Sequence, residues 1–184
     1  MLSPRLMRAI NTAATVHDGH YRKGTNTPYI SHLYGVMNIA AEMTDDEDLL
    51  IACLLHDAIE DVPEKYGADR ILADFGERVL GIVQGVTKVD LPGWQERSDA
   101  YLAHLKSEAS ADSVLVSLCD KAHNLQSILA DHEELGDELW GRFNSGKERQ
   151  QWWYRSILEV AAERLPGCPL LTDYAAMVEK LESL

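Results

Sequence analysis

Apolar residues recur along the chain at intervals of three and four, and no stretch carries a convincing period-two alternation, so the pattern predicts helices joined by short turns and an all-α fold. Ser3 before Pro4 reads as an N-cap followed by proline at the first helical position, opening a helix towards Val16. A loop over about 19–28 follows. Ser31 is placed to cap a second helix through Met43, and the acidic cluster Asp45, Asp46 and Glu47 suits the start of a third that runs to about Glu60 and ends at Pro63. Further helical patterns cover about 69–75, 77–86, 94–106, 112–130, 147–163 and 171–184, punctuated by Gly76, Pro92-Gly93 and Pro166-Gly167. A bundle of about eight to ten helices is expected. With 184 residues, no internal repeat and no polar linker, residues 1–184 read as one domain.

Composition narrows the class. Hydrophobic residues make up 46% and charged residues 26%, which excludes disordered and low-complexity readings. The longest apolar run, Leu49 to Leu55, is far short of the roughly 20 residues of a membrane-spanning helix. The first ten residues lack a signal-like apolar segment, so a cytoplasmic address is expected. Three scattered cysteines make no disulfide framework, and Cys53 and Cys119 sit in apolar stretches as small hydrophobes. A net charge of −13 argues against nucleic acid as a partner, because backbone binding needs clustered cations. It leaves room for a small anionic ligand held by a few local cations or a metal.

The most informative stretch is Leu54-Leu55-His56-Asp57-Ala58-Ile59-Glu60-Asp61, where polar groups end a helix that is apolar from Leu49. Such a helix is buried, and unpaired charges there cost several kcal/mol, so His56 and Asp57 need partners; a divalent cation satisfies both an imidazole and a carboxylate. Helical spacing sets Glu60 and Asp61 one turn beyond them. A His-Asp pair alone is weak evidence: His17-Asp18 is a second copy, near a helix end, where capping or ordinary hydrogen bonding explains it.

A second signal lies after Asp112. Val114, Leu115, Val116, Leu118 and Cys119 make that helix apolar, yet Asp120, Asn124 and Ser127 form a polar stripe at i, i+4 and i+7. Either a ligand or an internal hydrogen-bond network satisfies it. His123 neighbours the stripe, as a member or as a packed support. His32, in the first turn of the second helix, completes with His56, Asp57 and Asp120 a two-histidine, two-aspartate set. Half-oxygen ligation without cysteine favours Mn²⁺ or Fe²⁺ over structural zinc, and one Mn²⁺ per chain is the expected cofactor.

In this order along an all-helical chain, His32, His56-Asp57 and Asp120 resemble the HD superfamily of metal-dependent phosphohydrolases. His17, Arg22-Lys23-Gly24, Pro28 to His32, Leu55 to Asp61, Gly85 to Lys88 and Asp120 to Leu125 resemble, more narrowly, the hydrolase half of RelA/SpoT enzymes, over about 17–154. Without a synthetase or regulatory segment the chain looks like a small alarmone hydrolase with an HD-domain helical bundle.

That resemblance implies removal of the 3′-pyrophosphate from (p)ppGpp or a ppApp-type alarmone. It gives Glu60 and Asp61 the catalytic acid–base work and makes Arg22, Lys23, Asn124, Lys147 and Tyr154 nucleotide contacts, with Lys88 and Arg97 as further phosphate candidates. For Trp152 and Trp153, core packing is the expectation. The loop Gly24-Thr25-Asn26-Thr27 departs from the RelA/SpoT pattern, so the base is left open. Two other readings stand beside it: an HD phosphatase acting on NADPH or a nucleoside monophosphate, and a non-catalytic nucleotide sensor. The sequence leaves the oligomeric state open.

Overall fold

A computed structural model describes residues 1–184, which are 74% helical with no strand. Nine helices of eight or more residues carry the fold: α1 (Pro4–Val16), α2 (Ile30–Ala41), α3 (Glu47–Leu55), α6 (Ala68–Phe75), α7 (Glu77–Gln84), α8 (Trp94–Ser107), α9 (Ala111–Leu135), α10 (Lys147–Arg164) and α11 (Leu170–Ser183). Single-turn helices α4 (Ala58–Asp61) and α5 (Pro63–Tyr66) follow α3, and a 3₁₀ segment, Gly136–Arg142, follows α9.

Several boundaries follow from local chemistry. Ser3 Oγ accepts from the Leu6 amide at 3.0 Å, with Pro4 opening α1. Asp46 caps α3 through the amides of Asp48 and Leu49. Ser31, by contrast, caps nothing: α2 begins at Ile30, and the Ser31 hydroxyl donates back to the Pro28 carbonyl at 2.8 Å. The third helix does not run on to Glu60. It stops at Leu55, because His56 Nδ1 takes the Cys53 carbonyl at 2.8 Å and the chain turns through His56 and Asp57 before α4. α9 runs five residues beyond the expected Ala130, to Leu135.

Every residue from Leu49 to Leu55 is buried, so α3 is apolar all round and sits at the centre. Around it, α1, α2, α6 and α7 form one hydrophobic cluster. α8, α10, α11 and the rest of α9 form a second. α9 belongs to both: Val116 and Cys119 face the first and Val114, Leu118, Ala122 and Leu125 the second. Arg78 fastens the starts of α3 and α9, with Nη2 at 2.5 Å from Asp46 and 2.9 Å from Asp112. Because α2 packs on both α3 and α9, His32, His56-Asp57 and Asp120 face one another at the seam between the clusters.

Candidate metal centre and nucleotide cavity

His32, His56 and Asp120 are buried, and Asp57 is nearly so. Their donor atoms converge. His32 Nε2 lies 3.1 Å from Asp120 Oδ1 and 3.7 Å from Asp57 Oδ2, while His56 Nε2 lies 3.0 Å from Asp57 Oδ2 and 3.7 Å from Asp120 Oδ1. These separations are those of neighbouring ligands around an ion at about 2.0–2.2 Å from each.

The hydrogen bond from His56 Nδ1 to the Cys53 carbonyl places the ring proton on Nδ1 and aims the Nε2 lone pair at the two carboxylates. Nε2 is a buried nitrogen with no hydrogen-bond partner of its own, which fits a donor to a cation. His32 is fixed in the same way: its Nδ1 meets His123 Nδ1 at 2.9 Å, leaving Nε2 inward. Tyr29 donates to Asp57 Oδ2 at 2.6 Å, and Asn124 Nδ2 donates to Asp120 Oδ1 at 2.6 Å. Lys121 Nζ pairs with the other Asp120 oxygen.

The electrostatics fit. Burial disfavours charge at both carboxyls, yet Asp57, beside His56, and Asp120, beside Lys121 and the histidines, are held below the usual carboxylate range. Burial also opposes charge on His56, but the two carboxylates raise its pKa well above the ordinary imidazole value. A proton and a divalent cation are therefore alternative answers to the same pair of negative charges. Burial shifts His32 down, and it lowers His123 to about 4.

One support escaped the sequence reading. The Tyr29 hydroxyl reaches Asp57, and its ring stacks on His17 at 5.3 Å. His17 is buried, neither ring nitrogen has a partner, and burial lowers its pKa to about 4, so its ring packs under Tyr29 rather than hydrogen-bonding as expected. His123 is the support of His32, not a member of the inward-facing set.

A cavity of about 590 Å³ opens beside the centre, with α9 as its floor and the 22–27 loop as one wall. Arg22, Lys23, Asn124 and Tyr154 line it, as do Lys88 and Lys121, so a chain of net charge −13 concentrates cations where an anion enters. Lys121 is buried, paired with Asp120, and lines this cavity. Ser127 lines it too, but its hydroxyl bonds back to the His123 carbonyl, so the polar stripe on α9 is in part an internal network.

Lys147 is a correction: it does not line the cavity. Its Nζ donates to the Leu184 carbonyl at 2.6 Å and lies over the Trp140 ring, because α11 folds back along α10. Trp153 is buried as expected, whereas Trp152 is exposed.

Glu60 and Asp61 stand one turn past Asp57, on α4. Glu60 Oε1 accepts from the Lys88 amide at 2.6 Å and faces a second cavity of about 570 Å³ that shares Lys88 and Trp153 with the first and also holds Arg97. Partial burial and the charges of Asp57 and Glu60 push the Asp61 carboxyl up to about 6, in the range of a group that exchanges protons near neutrality.

Comparison with known proteins points the same way. Residues 9–139 match the HD domain. The guanosine-3′,5′-bis(diphosphate) 3′-pyrophosphohydrolase of Haemophilus influenzae is 33% identical over 121 residues, 63% of this chain and 17% of that protein. The bifunctional (p)ppGpp synthase/hydrolase SpoT of Escherichia coli is 34% identical over 129 residues, 67% of this chain and 18% of that protein. The chain thus spans less than a fifth of the length of these relatives. Among solved structures, lmo0812 of Listeria monocytogenes aligns with a TM-score of 0.74 at 25% identity over 83% of this chain and 99% of that one. A metazoan SpoT ortholog described as hydrolysing ppGpp shares the fold, with a TM-score of 0.77 at 24% identity over 98% of this chain and 95% of that one.

Proposed function

The chain belongs to the HD-domain family, and from that premise we propose that it is a Mn²⁺-dependent hydrolase that removes the 3′-pyrophosphate from alarmone nucleotides, (p)ppGpp or a ppApp-type relative. The observation that carries the reading is the convergence of two imidazole nitrogens and two carboxylate oxygens beside a cation-lined cavity, with His56 Nε2 otherwise unpartnered. The names of the relatives supply the substrate class.

His32, His56, Asp57 and Asp120 would hold the ion, whose chemistry is Lewis acidity toward a phosphoryl oxygen and a lowered pKa for water. The residues do the rest. Arg22 and Lys23 bind the nucleotide from the loop wall, and Tyr154 closes the cavity opposite them. Lys88 and Lys121 offset phosphate charge. Glu60 and Asp61 align the attacking water and take its proton, while the bond between phosphorus and the ribose 3′ oxygen breaks and that oxygen gains a proton. Pyrophosphate leaves. Asn124 orients the Asp120 carboxylate with one amide hydrogen and offers the rest of its amide to the nucleotide from the cavity floor.

Incubating manganese-loaded protein with ppGpp and with ppApp, and following pyrophosphate, tests the reading. Release of pyrophosphate is expected; orthophosphate instead would favour the nucleotide-phosphatase reading, and no product from either nucleotide would refute catalysis on alarmones. The ion has its own signature. At a Mn²⁺ concentration one hundred times its dissociation constant, folding gains about 2.7 kcal/mol, or roughly 5–10 °C in Tm for a domain of this size. Differential scanning calorimetry with manganese and with chelator reads it, and an unchanged Tm would count against the site.

Asp61 gives a prediction with two opposed readouts. Its carboxyl is raised above its unfolded value, so the folded chain binds more protons between about 4 and 6, and the contribution to stability falls as pH rises through that window. Asp61→Asn without metal is therefore expected to melt above wild type at pH 8 and level with it near pH 4. Its turnover should fall by about 10²–10⁴-fold, the usual contribution of a general base. Thermal melts at the two pH values and steady-state rates check both.

A further inference from the structure

A cavity built for a polyanion is expected to exclude carboxylates, yet Asp131 lines this one among Arg22, Lys23, Lys88, Lys121 and Arg142. It is the only acid in the lining. Asp131 stands on the same face of α9 as Asp120, eleven residues on, or roughly 16 Å along the axis. That separation puts the metal centre at one end of the groove and Asp131 at the other. A phosphate there would be repelled, so the carboxylate serves another part of the ligand.

Its surroundings say which. Asp131 Oδ2 accepts from Arg142 Nη1 at 2.7 Å; this is the one side-chain hydrogen bond either residue makes, and both stay partly open, at 38% and 27% side-chain exposure. Arg142 passes close over Gly24, where a Cβ would lie 3.1 Å from its Cδ and Nε, and Gly24 has φ +74°. Ile128, Leu139 and Phe143 add an apolar wall beside the pair. Apolar wall, guanidinium plane and a paired acceptor and donor are together the complement of a nucleobase.

We propose that Asp131 and Arg142 read the Watson–Crick edge of a guanine, Asp131 accepting from N1–H and the 2-amino group and Arg142 donating to O6. Adenine presents a lone pair at N1, which the carboxylate repels, and has no 2-amino group. The proposal rests on the alarmone reading above and assigns its base: the substrate is a guanosine 3′-pyrophosphate. A carboxylate taking two donors in a half-open site gives discrimination of about 10–100-fold, below the 10⁴–10⁵-fold of a fully enclosed polar pocket.

The test compares kcat/KM for ppGpp, ppApp and the inosine analogue ppIpp, together with equilibrium binding of GDP and ADP, in wild type, Asp131→Ala and Asp131→Asn. Wild type is expected to prefer ppGpp over ppApp by about 10–100-fold with ppIpp between them. Asp131→Ala should bring guanine and adenine substrates to near parity by raising KM for ppGpp and, with the repulsion at adenine N1 removed, lowering KM for ppApp, while metal content stays unchanged. Asp131→Asn, which keeps size and an acceptor for Arg142, should lose part of the preference and guards against a folding defect. Equal or reversed preference in wild type would overturn the proposal. So would a variant that loses both substrates in the same proportion, since that marks a carboxylate that only props Arg142. Pyrophosphate from none of the three would sink the alarmone reading instead, and GDP against ADP binding would still decide the base.

Discussion

Replacing Asp57 with alanine is expected to abolish metal retention and to lower kcat/KM by about a thousandfold or more, since the Lewis-acid contribution is several kcal/mol and each 1.4 kcal/mol is tenfold. Asp57 Oδ2 is the nearer of the two carboxylate oxygens to His56 Nε2, at 3.0 Å against 3.7 Å for Asp120 Oδ1, and it also receives the Tyr29 hydroxyl at 2.6 Å. Its loss takes away one of four donors and leaves the phenol unpaired. The fold should survive. With Asp57 gone, His56 loses one of the two carboxylates that hold its proton, so the imidazole can discharge rather than remain a buried uncompensated cation. Metal analysis after gel filtration, steady-state rates and a far-ultraviolet melt separate the outcomes. A variant that keeps its metal and its rate would mean that the ion sits elsewhere.

How much of this was legible depended on whether the signal lay within one element or between two. Ser3-Pro4 opens α1 as its own chemistry requires. His56, Asp57 and Asp120 were readable because each places a charge or imidazole on an otherwise apolar helix, and His32 only as the residue that completes their set. What the sequence hid were partnerships across the fold. Tyr29 meets Asp57 from 28 positions away and His123 meets His32 from 91, and neither pairing leaves a periodic trace. Lys147 misled for the same reason: the return of α11 along α10 offers its ammonium a carbonyl away from the cavity. The stop of α3 at Leu55 was hidden because His56 and Asp57 keep backbone angles near the helical region, so only the side-chain bond to Cys53 marks the break. One trace was present and unread. Gly35 sits in the interior of α2, where glycine costs about 1 kcal/mol against alanine, and such a residue marks a close approach.

That approach is by His123, and it makes Gly35→Ala the most telling second-tier variant. A Cβ on residue 35 would lie 2.1 Å from His123 Cδ2 and 2.3 Å from Nε2, contacts that no relaxation of a tenth of an ångström relieves. The ring cannot swing aside without leaving His32 Nδ1, to which it is bonded at 2.9 Å. His32 would then lose the partner that fixes its tautomer and orientation, and such supports are worth about 10–100-fold in metal affinity. Gly35→Ala is thus expected to weaken metal binding by that factor although residue 35 carries no ligand. Stability shows a smaller change, because the gain in helix propensity of about 1 kcal/mol offsets part of an overpacking cost of about 1–3 kcal/mol. The decisive comparison is a cycle with His123→Ala. If the glycine matters only by admitting the imidazole, the double variant binds metal no worse than His123→Ala alone, and the clash cost to Tm disappears. Losses that add in full would show that Gly35 serves something other than His123 and would break the link between a helix glycine and the metal centre.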